Sequence, residues 1–209
     1  MIQAFDSHKI SSEIRGQLWN SEDAKTSSII GTLSLLPAKQ FWTIIRRACY
    51  NSNGLPESVT EMQHIEFWPR WKLKDKVEPD AFVRFKEFDL ILELKRNDSN
   101  QQKEIQWNNE IDAYRLKYED SHKDYYLIAI SGRTEKQHPH VFQCSWSNLL
   151  KSVETECENI QGHCHVARIL KTAITAFHIH HEYSYSFLET MTNVKINIPY
   201  EILNTLWTI

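Results

Sequence analysis

Two short apolar runs, AFVRF at 81–85 and FDLILEL at 88–94, constrain this chain more than any other segment. Ala81, Val83 and Phe85 share one parity, and Phe88, Leu90, Leu92 and Leu94 share another, the alternation expected of two half-buried strands. A reversal at Lys86-Glu87, by a loop of two or four residues, pairs Ala81 with Leu92 and sets Asp80 opposite Glu93. The apolar residues then fall on one face, and Asp80, Glu93 and Lys95 fall together on the other. Carboxylates directly across a ladder have Cβ atoms roughly 5 Å apart and repel one another. Such a pair persists if it shares a proton, if water solvates both acids, or if a cation sits between them. Lys95 adds one positive charge, too few for two acids, whereas a hard divalent metal would offset both. The same residues equally describe a solvated outer sheet face of mixed charge, common in antiparallel sheets.

The rest of the chain bounds the setting. With 209 residues it suits one good-sized domain or a domain with a small appendage, and only five glycines and six prolines argue against long flexible linkers. No run reaches the apolar length of a membrane span, and MIQAFDSHKI lacks the pattern of a signal peptide, so no membrane partner is expected. Cys49, Cys144, Cys157 and Cys164 are scattered, which favours a reduced, cytoplasmic environment. A net charge of −3 excludes a protein coated in basic residues but leaves room for a local track. Arg70, Lys72, Lys74 and Lys76 alternate in the segment leading to Asp80. On an extended strand they form a stripe, with Trp71 and Leu73 on the other face, suited to a phosphate backbone or to protecting a sheet edge.

The order of elements follows from periodicity. SHKISSEIRGQLW predicts a helix with Ile10, Ile14 and Leu18 in a stripe and Ser7 as N-cap, SEDAKTSS a polar connection or helix start, and LPAKQFWTIIRRACY a second helix opened by Pro37. NSNGLPES is a loop. A strand around QHIEFWPRW, the paired runs and a polar break at RNDSNQQ lead to a helix in KEIQWNNEIDAYRLKY, with Ile105, Ile111 and Leu116 among its apolar positions. DYYLIAISGR is a continuous apolar strand of the kind covered on both faces. RTEKQHPH is a loop, helices follow at SWSNLLKSVETE and VARILKTAITAFHIHHEYSYSFLE, and VKINIPYEILNTLW predicts a short strand and a terminal helix. The expected fold class is α/β, a mixed central sheet flanked by helices over residues 1–140, with a mainly helical extension at 141–209 packed on it.

Pro79-Asp80, twelve residues, then Glu93-Leu94-Lys95 resemble the signature of the PD-(D/E)xK nuclease superfamily, and the αβββαβ order from about residue 7 to residue 131 is similar to its restriction-endonuclease-like core. The resemblance implies that Asp80, Glu93 and the Leu94 carbonyl bind Mg2+ or Mn2+, and that Lys95 orients the attacking water and stabilises the phosphate. The reaction it implies is phosphodiester hydrolysis, of DNA in preference to RNA. Many members add a glutamate on a helix before the first strand; the nearer helix here has no acid, which leaves Glu13 as the candidate, against its reading as an ordinary exposed helix acid. Many also carry glutamine on the helix after the third strand, with tyrosine four residues later. Here Gln106 fits, but Glu110 stands at the tyrosine position, and Tyr114 follows one turn further along the same stripe.

Other constellations compete less well. Cys157, His163, Cys164, His165, His178, His180 and His181 contain zinc-ligand types, but their spacing matches no familiar finger, and helix-face histidines account for them. His138 and His140 lie in a loop within possible reach of a substrate. Trp68 and Trp71 are candidates for base stacking, whereas Trp107 and Trp146 suit a core. The expected function is a metal-dependent nuclease, in a context of bacterial defence, restriction or mobile-element DNA processing that the resemblance alone supplies, acting alone, as a homodimer or with a partner protein. The alternative is a nuclease-like module without activity that binds nucleic acid or protein, which a missing helix acid would favour.

Overall fold

A computed structural model describes residues 7, 9, 11–19, 21–99, 102–131, 138–160 and 164–182. Its strands are β1 (Met62–Phe67), β2 (Trp71–Lys72), β3 (Lys76–Val77), β4 (Ala81–Phe85), β5 (Phe88–Leu94), β6 (Asp124–Ile130) and β7 (Val141–Cys144). Its helices are α1 (Ser12–Trp19), α2 (Glu22–Leu33), α3 (Ala38–Ala48), α4 (Glu104–Lys117), α5 (Trp146–Asn159) and α6 (Cys164–Ile179). The architecture is α/β, with a mixed five-stranded sheet in the order β1-β4-β5-β6-β7 and a separate two-stranded pair of β2 and β3. The pairs β1–β4 and β4–β5 are antiparallel, and the pairs β5–β6 and β6–β7 are parallel.

The hairpin forms in the expected register, Ala81 opposite Leu92 and Arg84 opposite Asp89. Its burial differs from the expectation. Both strands were expected to be half-buried, yet every residue of β5 is buried. The parallel step from β5 to β6 requires a crossover, and α4 serves as one, so a helix lies over the face that carries the charges. One core cluster joins Val83, Phe85, Leu90 and Leu92 to side chains of α2, α3, α5 and α6. The other, on the opposite face, joins Phe82 and Ile91 to Trp71, Trp107, Ile111 and Tyr114.

Several elements depart from the periodic reading. SEDAKTSS opens a full helix, α2, whose Ser21 hydroxyl accepts the Ala24 N–H at 3.2 Å. Helix α1 starts later than expected, with the Ser11 hydroxyl, not Ser7, accepting from Ile14 N–H at 3.4 Å, and Ile14 is exposed. Strand β1 stops at Phe67 because Trp68 adopts φ 50°, a left-handed conformation that a strand cannot continue through. On α4, Ile105 and Leu116 face solvent, and Trp107, Glu110, Ile111 and Tyr114 are buried. The basic segment folds back on itself, placing Lys72 directly opposite Lys76 instead of along one extended strand. Strand β7 falls between the predicted loop and helix: four residues, VFQC, are too few to show a period. It adds the fifth strand just beyond residue 140, and Trp146, Leu149, Leu170 and Phe177 of the following helices join the same core cluster as the sheet. The segments 194–207 and 132–137 lie outside the described residues. No helix among the described residues is long and apolar enough to cross a membrane.

Asp89, fully buried at the start of β5, shows how this fold accommodates an interior acid. Arg84, its cross-strand partner, donates to it from Nε at 3.0 Å and from Nη2 at 2.7 Å, and the Tyr114 hydroxyl donates at 3.0 Å. Lys123 Nζ lies 3.9 Å away. Removing the main counter-charge leaves an ion in a dry site, which costs about 3 kcal/mol in comparable pairs. Arg84→Ala should therefore lower the urea unfolding midpoint by a corresponding amount; an unchanged midpoint would show that Asp89 does not depend on Arg84.

Candidate active site

Glu93 lies two residues from Ile91 and four from Asp89, so all three point from β5 toward α4. Asp80 precedes β4 by one residue and meets the end of β5, where its Oδ2 accepts the Leu94 N–H at 2.7 Å. Lys95, one residue past β5, is fixed through its backbone: its N–H donates to Ile130 O at 2.9 Å, and its carbonyl accepts from Trp146 Nε1 at 2.7 Å. Its ammonium donates to Glu93 Oε1, and the Gln106 amide donates to the same oxygen. Gln102 braces the strand end, donating to Glu93 O at 3.3 Å while accepting from Trp107 Nε1 at 2.7 Å. The sheet and α4 thus bring Asp80, Glu93, Leu94, Lys95 and Gln106 together.

Two further acids complete the cluster. Glu22, in the first turn of α2, places Oε1 3.7 Å from Lys95 Nζ. Glu13, the helix acid expected from sequence, is exposed on α1. The signal for Glu22 was the Ser21 cap followed by two acids, the usual start of a helix, hidden by the low amphipathicity of the segment. Glu110, one turn beyond Gln106, is buried near Glu93, and its Oε2 has no hydrogen-bond partner. Its stripe was visible in the sequence, but its burial was not.

Exposure decides between the alternatives left open by the sequence. Asp80 is 6% exposed, Glu93 2% and Glu110 2%, so a solvated mixed-charge face does not describe them. Burial first, and Glu93 second, push the Asp80 carboxyl up to about 8, against the opposing Leu94 N–H. Burial also raises Glu93, although Lys95 pulls the other way. Glu110 is pushed well above the carboxylate range by burial and by Glu93. Burial lowers the Lys95 ammonium, but Glu93, Glu22 and Asp80 outweigh it and raise its pKa. Asp89 has several donors of its own, whereas Asp80 and Glu93 share the Lys95 ammonium.

These acids meet pairwise around Glu93: among the described residues no three or more His, Cys, Asp or Glu side chains form a ready-made metal cage. An excess of buried carboxylate, with one oxygen of Glu110 unpartnered, fits a hard divalent cation that takes oxygen ligands. Among the described residues the histidines and cysteines form no metal-holding group: the His180 ring bonds the Ser28 hydroxyl at 2.7 Å, and His163 and the Cys164 side chain lie outside the described residues. His140 stacks on Tyr125. Trp71, Trp107 and Trp146 are core residues. Arg70, Lys72, Lys74 and Lys76 are exposed on the β2–β3 hairpin just before Asp80, with Arg70 and Lys76 paired to Glu78.

No family model matches this chain, and no solved structure matches it. The chain is 33% identical over 102 residues to an uncharacterized protein of Pasteurella multocida (strain Pm70). The matched stretch covers 47% of this chain and 38% of that protein, so the chain spans well under half the length of this relative.

An acid whose pKa is higher folded than unfolded binds its proton better in the native state. Its stabilising contribution is full below about pH 4 and is lost as pH rises toward about 8. In metal-free buffer, Asp80→Asn should melt about 5 °C above wild type near the upper end of that window and lose most of the advantage at about pH 5. Parallel melting curves across the window would show that Asp80 carries no such strain.

Proposed function

We propose that this chain is a metal-dependent nuclease that hydrolyses phosphodiester bonds, with DNA as the preferred substrate. The observation that carries the reading is the burial of Asp80 and Glu93 against Lys95 at the open end of the hairpin, where β4 begins and β5 ends. Mg2+ or Mn2+, held by Asp80, Glu93 and the Leu94 carbonyl, would supply a water of lowered pKa and offset charge on the phosphate. The protein's own groups do the rest. Lys95, held between Glu93 and Glu22, presents a proton-bearing ammonium where the attacking water and a phosphate oxygen would lie. Gln106 fixes the Glu93 oxygen that the lysine uses. As the water oxygen bonds to phosphorus and gives up a proton to solvent, the bond from phosphorus to the ester oxygen breaks, and that oxygen takes up a proton from solvent. The exposed hairpin basic residues adjoin Asp80 and suit a backbone contact that is independent of sequence.

Glu22, in the first turn of α2 and 3.7 Å from Lys95 Nζ, supports this reading over a module without activity. A role in bacterial defence, restriction or mobile-element DNA processing, a cytoplasmic location, and action as a homodimer or with a partner protein belong to the same proposal.

Cleavage of linear duplex, circular and single-stranded DNA and of RNA, with Mg2+ or Mn2+ and with EDTA as control, tests it. Asp80→Asn and Lys95→Ala should each lower the rate by at least about 100-fold, the scale of losing one electrostatic stabiliser from a reaction centre. Equal cutting by both folded variants, or none by wild type, would sink the proposal for this chain. A separate outcome concerns the hairpin. Lys72→Ala with Lys76→Ala should weaken binding to all sequences alike and flatten the slope of log affinity against log salt by about 2; an unchanged slope would place the nucleic acid elsewhere.

A further inference from the structure

Two cysteines far apart in the sequence meet where α3 and β7 both end. Cys49 caps the C-terminus of α3, and Cys144 is the last residue of β7. They are direct partners in an isolated antiparallel bridge, and neither is in a disulfide. The Tyr50 N–H donates to Gln143 O at 2.9 Å, so the backbone hydrogen bond joins neighbours of the two cysteines and not the cysteines themselves. That pattern marks the closely spaced kind of antiparallel pair, with Cα atoms roughly 4.5 Å apart. Disulfides span Cα separations of about 4.4–6.8 Å, so the backbone holds the two thiols within bonding reach. Cys49 keeps 8% of its surface open to solvent, and Cys144 keeps none. The Cys144 thiol is pushed well above its usual range, first by its hydrogen bond with the Cys49 thiol and then by burial. A single buried cysteine serves as a small apolar side chain; a facing pair adds redox chemistry. The pair also lies at a structural joint. Cys144 O accepts the Ser131 N–H at 2.9 Å, and two residues on, the Trp146 indole holds the Lys95 carbonyl.

We propose that Cys49 and Cys144 are an oxidation site for hydrogen peroxide, closing into a reversible disulfide that locks the end of α3 to the end of β7. Peroxide reaches Cys49, the member of the pair open to solvent. The Cys49 sulfur attacks one peroxide oxygen, the O–O bond breaks, and the departing hydroxide takes the thiol proton and leaves as water. The product is a sulfenic acid at Cys49. The Cys144 sulfur then attacks the Cys49 sulfur. The S–O bond breaks, and the departing oxygen takes the Cys144 proton and leaves as a second water. Two thiols have lost two electrons between them, and one peroxide has become two waters. Burial suits Cys144 to the second step, because it is shielded from peroxide until the sulfenic acid stands beside it. Small-molecule thiols reverse the bond by exchange. The loop it closes, residues 49 to 144, carries β1 to β7, α4 and the Asp80–Lys95 cluster, so closure removes freedom from the unfolded chain and stiffens the joint before Trp146. This chemistry needs no nuclease activity, so it stands or falls apart from the proposed function.

Titration of hydrogen peroxide into the full, reduced chain, followed by intact mass and by mapping of proteolytic fragments after free thiols are blocked, tests the site. Wild type should lose two hydrogens per chain, yield fragments joined through Cys49 and Cys144, and regain both thiols in dithiothreitol. Its melting temperature should rise by about 5 °C on closure. Cys157→Ser with Cys164→Ser keeps the pair and should lose the same two hydrogens, whereas Cys49→Ser should leave Cys144 reduced. The wild-type fragment map needs no variant to fold. The site is overturned if Cys49 and Cys144 stay reduced under peroxide that oxidises Cys157, if the bridge joins any other pair, or if Cys49 gains oxygen without bridging to Cys144. A bridge that forms with no rise in melting temperature overturns the lock.

Discussion

The carboxylate of Glu93 sits under a helix, and the rest of the site depends on that fact. An antiparallel hairpin alone would leave this face open to water, where several acids and a lysine cost little. Parallel pairing of β5 with β6 forces the chain to cross over, and the crossover helix closes the face. Once water is excluded, each charge needs a partner, and the loss of solvation outweighs every individual contact in setting the proton affinities of Asp80, Glu93 and Glu110.

β5 carries two buried acids on that face, and their surroundings differ sharply. Asp89 has a bidentate arginine opposite it and a tyrosine hydroxyl above it, so its charge is settled within the fold. Glu93 accepts from Lys95 and Gln106, but Glu110 and Asp80 also crowd it. A sequence selected for stability alone would treat both positions alike. Leaving one acid group short of positive charge destabilises the resting protein, a cost that the proposed function would turn to use in holding a cation.

The parts of this structure legible in the sequence are those fixed by local alternation. The register of β4 with β5 follows from two parities and one turn, and it was correct to the residue. The glutamine stripe of α4 was likewise visible through its four-residue spacing. What periodicity misses is burial imposed from a distance. Ile105 and Leu116 look like core residues and are exposed, because the face of α4 that carries Trp107, Glu110, Ile111 and Tyr114 meets the sheet instead. α2 reads as polar because its buried face includes Lys25 and Thr26, a lysine satisfied by the Arg96 carbonyl at 2.8 Å and by Glu182, far along the chain. That Glu22 lies beside Lys95 depends on where α2 packs, which no local pattern encodes.

The clamp on the exit of β5 has a consequence for modularity. Lys95 carries its carbonyl against the Trp146 indole, and Lys25, lying over that same ring, holds the next carbonyl at Arg96. The backbone that aims the site lysine is therefore gripped by helices about 70 positions before it and 50 after it. A fragment divided at residue 140 would keep every acid of the cluster and lose the tryptophan that steadies the strand end. The acids and the lysine are encoded within one hairpin and two helices, but the orientation of that lysine belongs to the whole chain, so the site could not be transplanted with its motif alone.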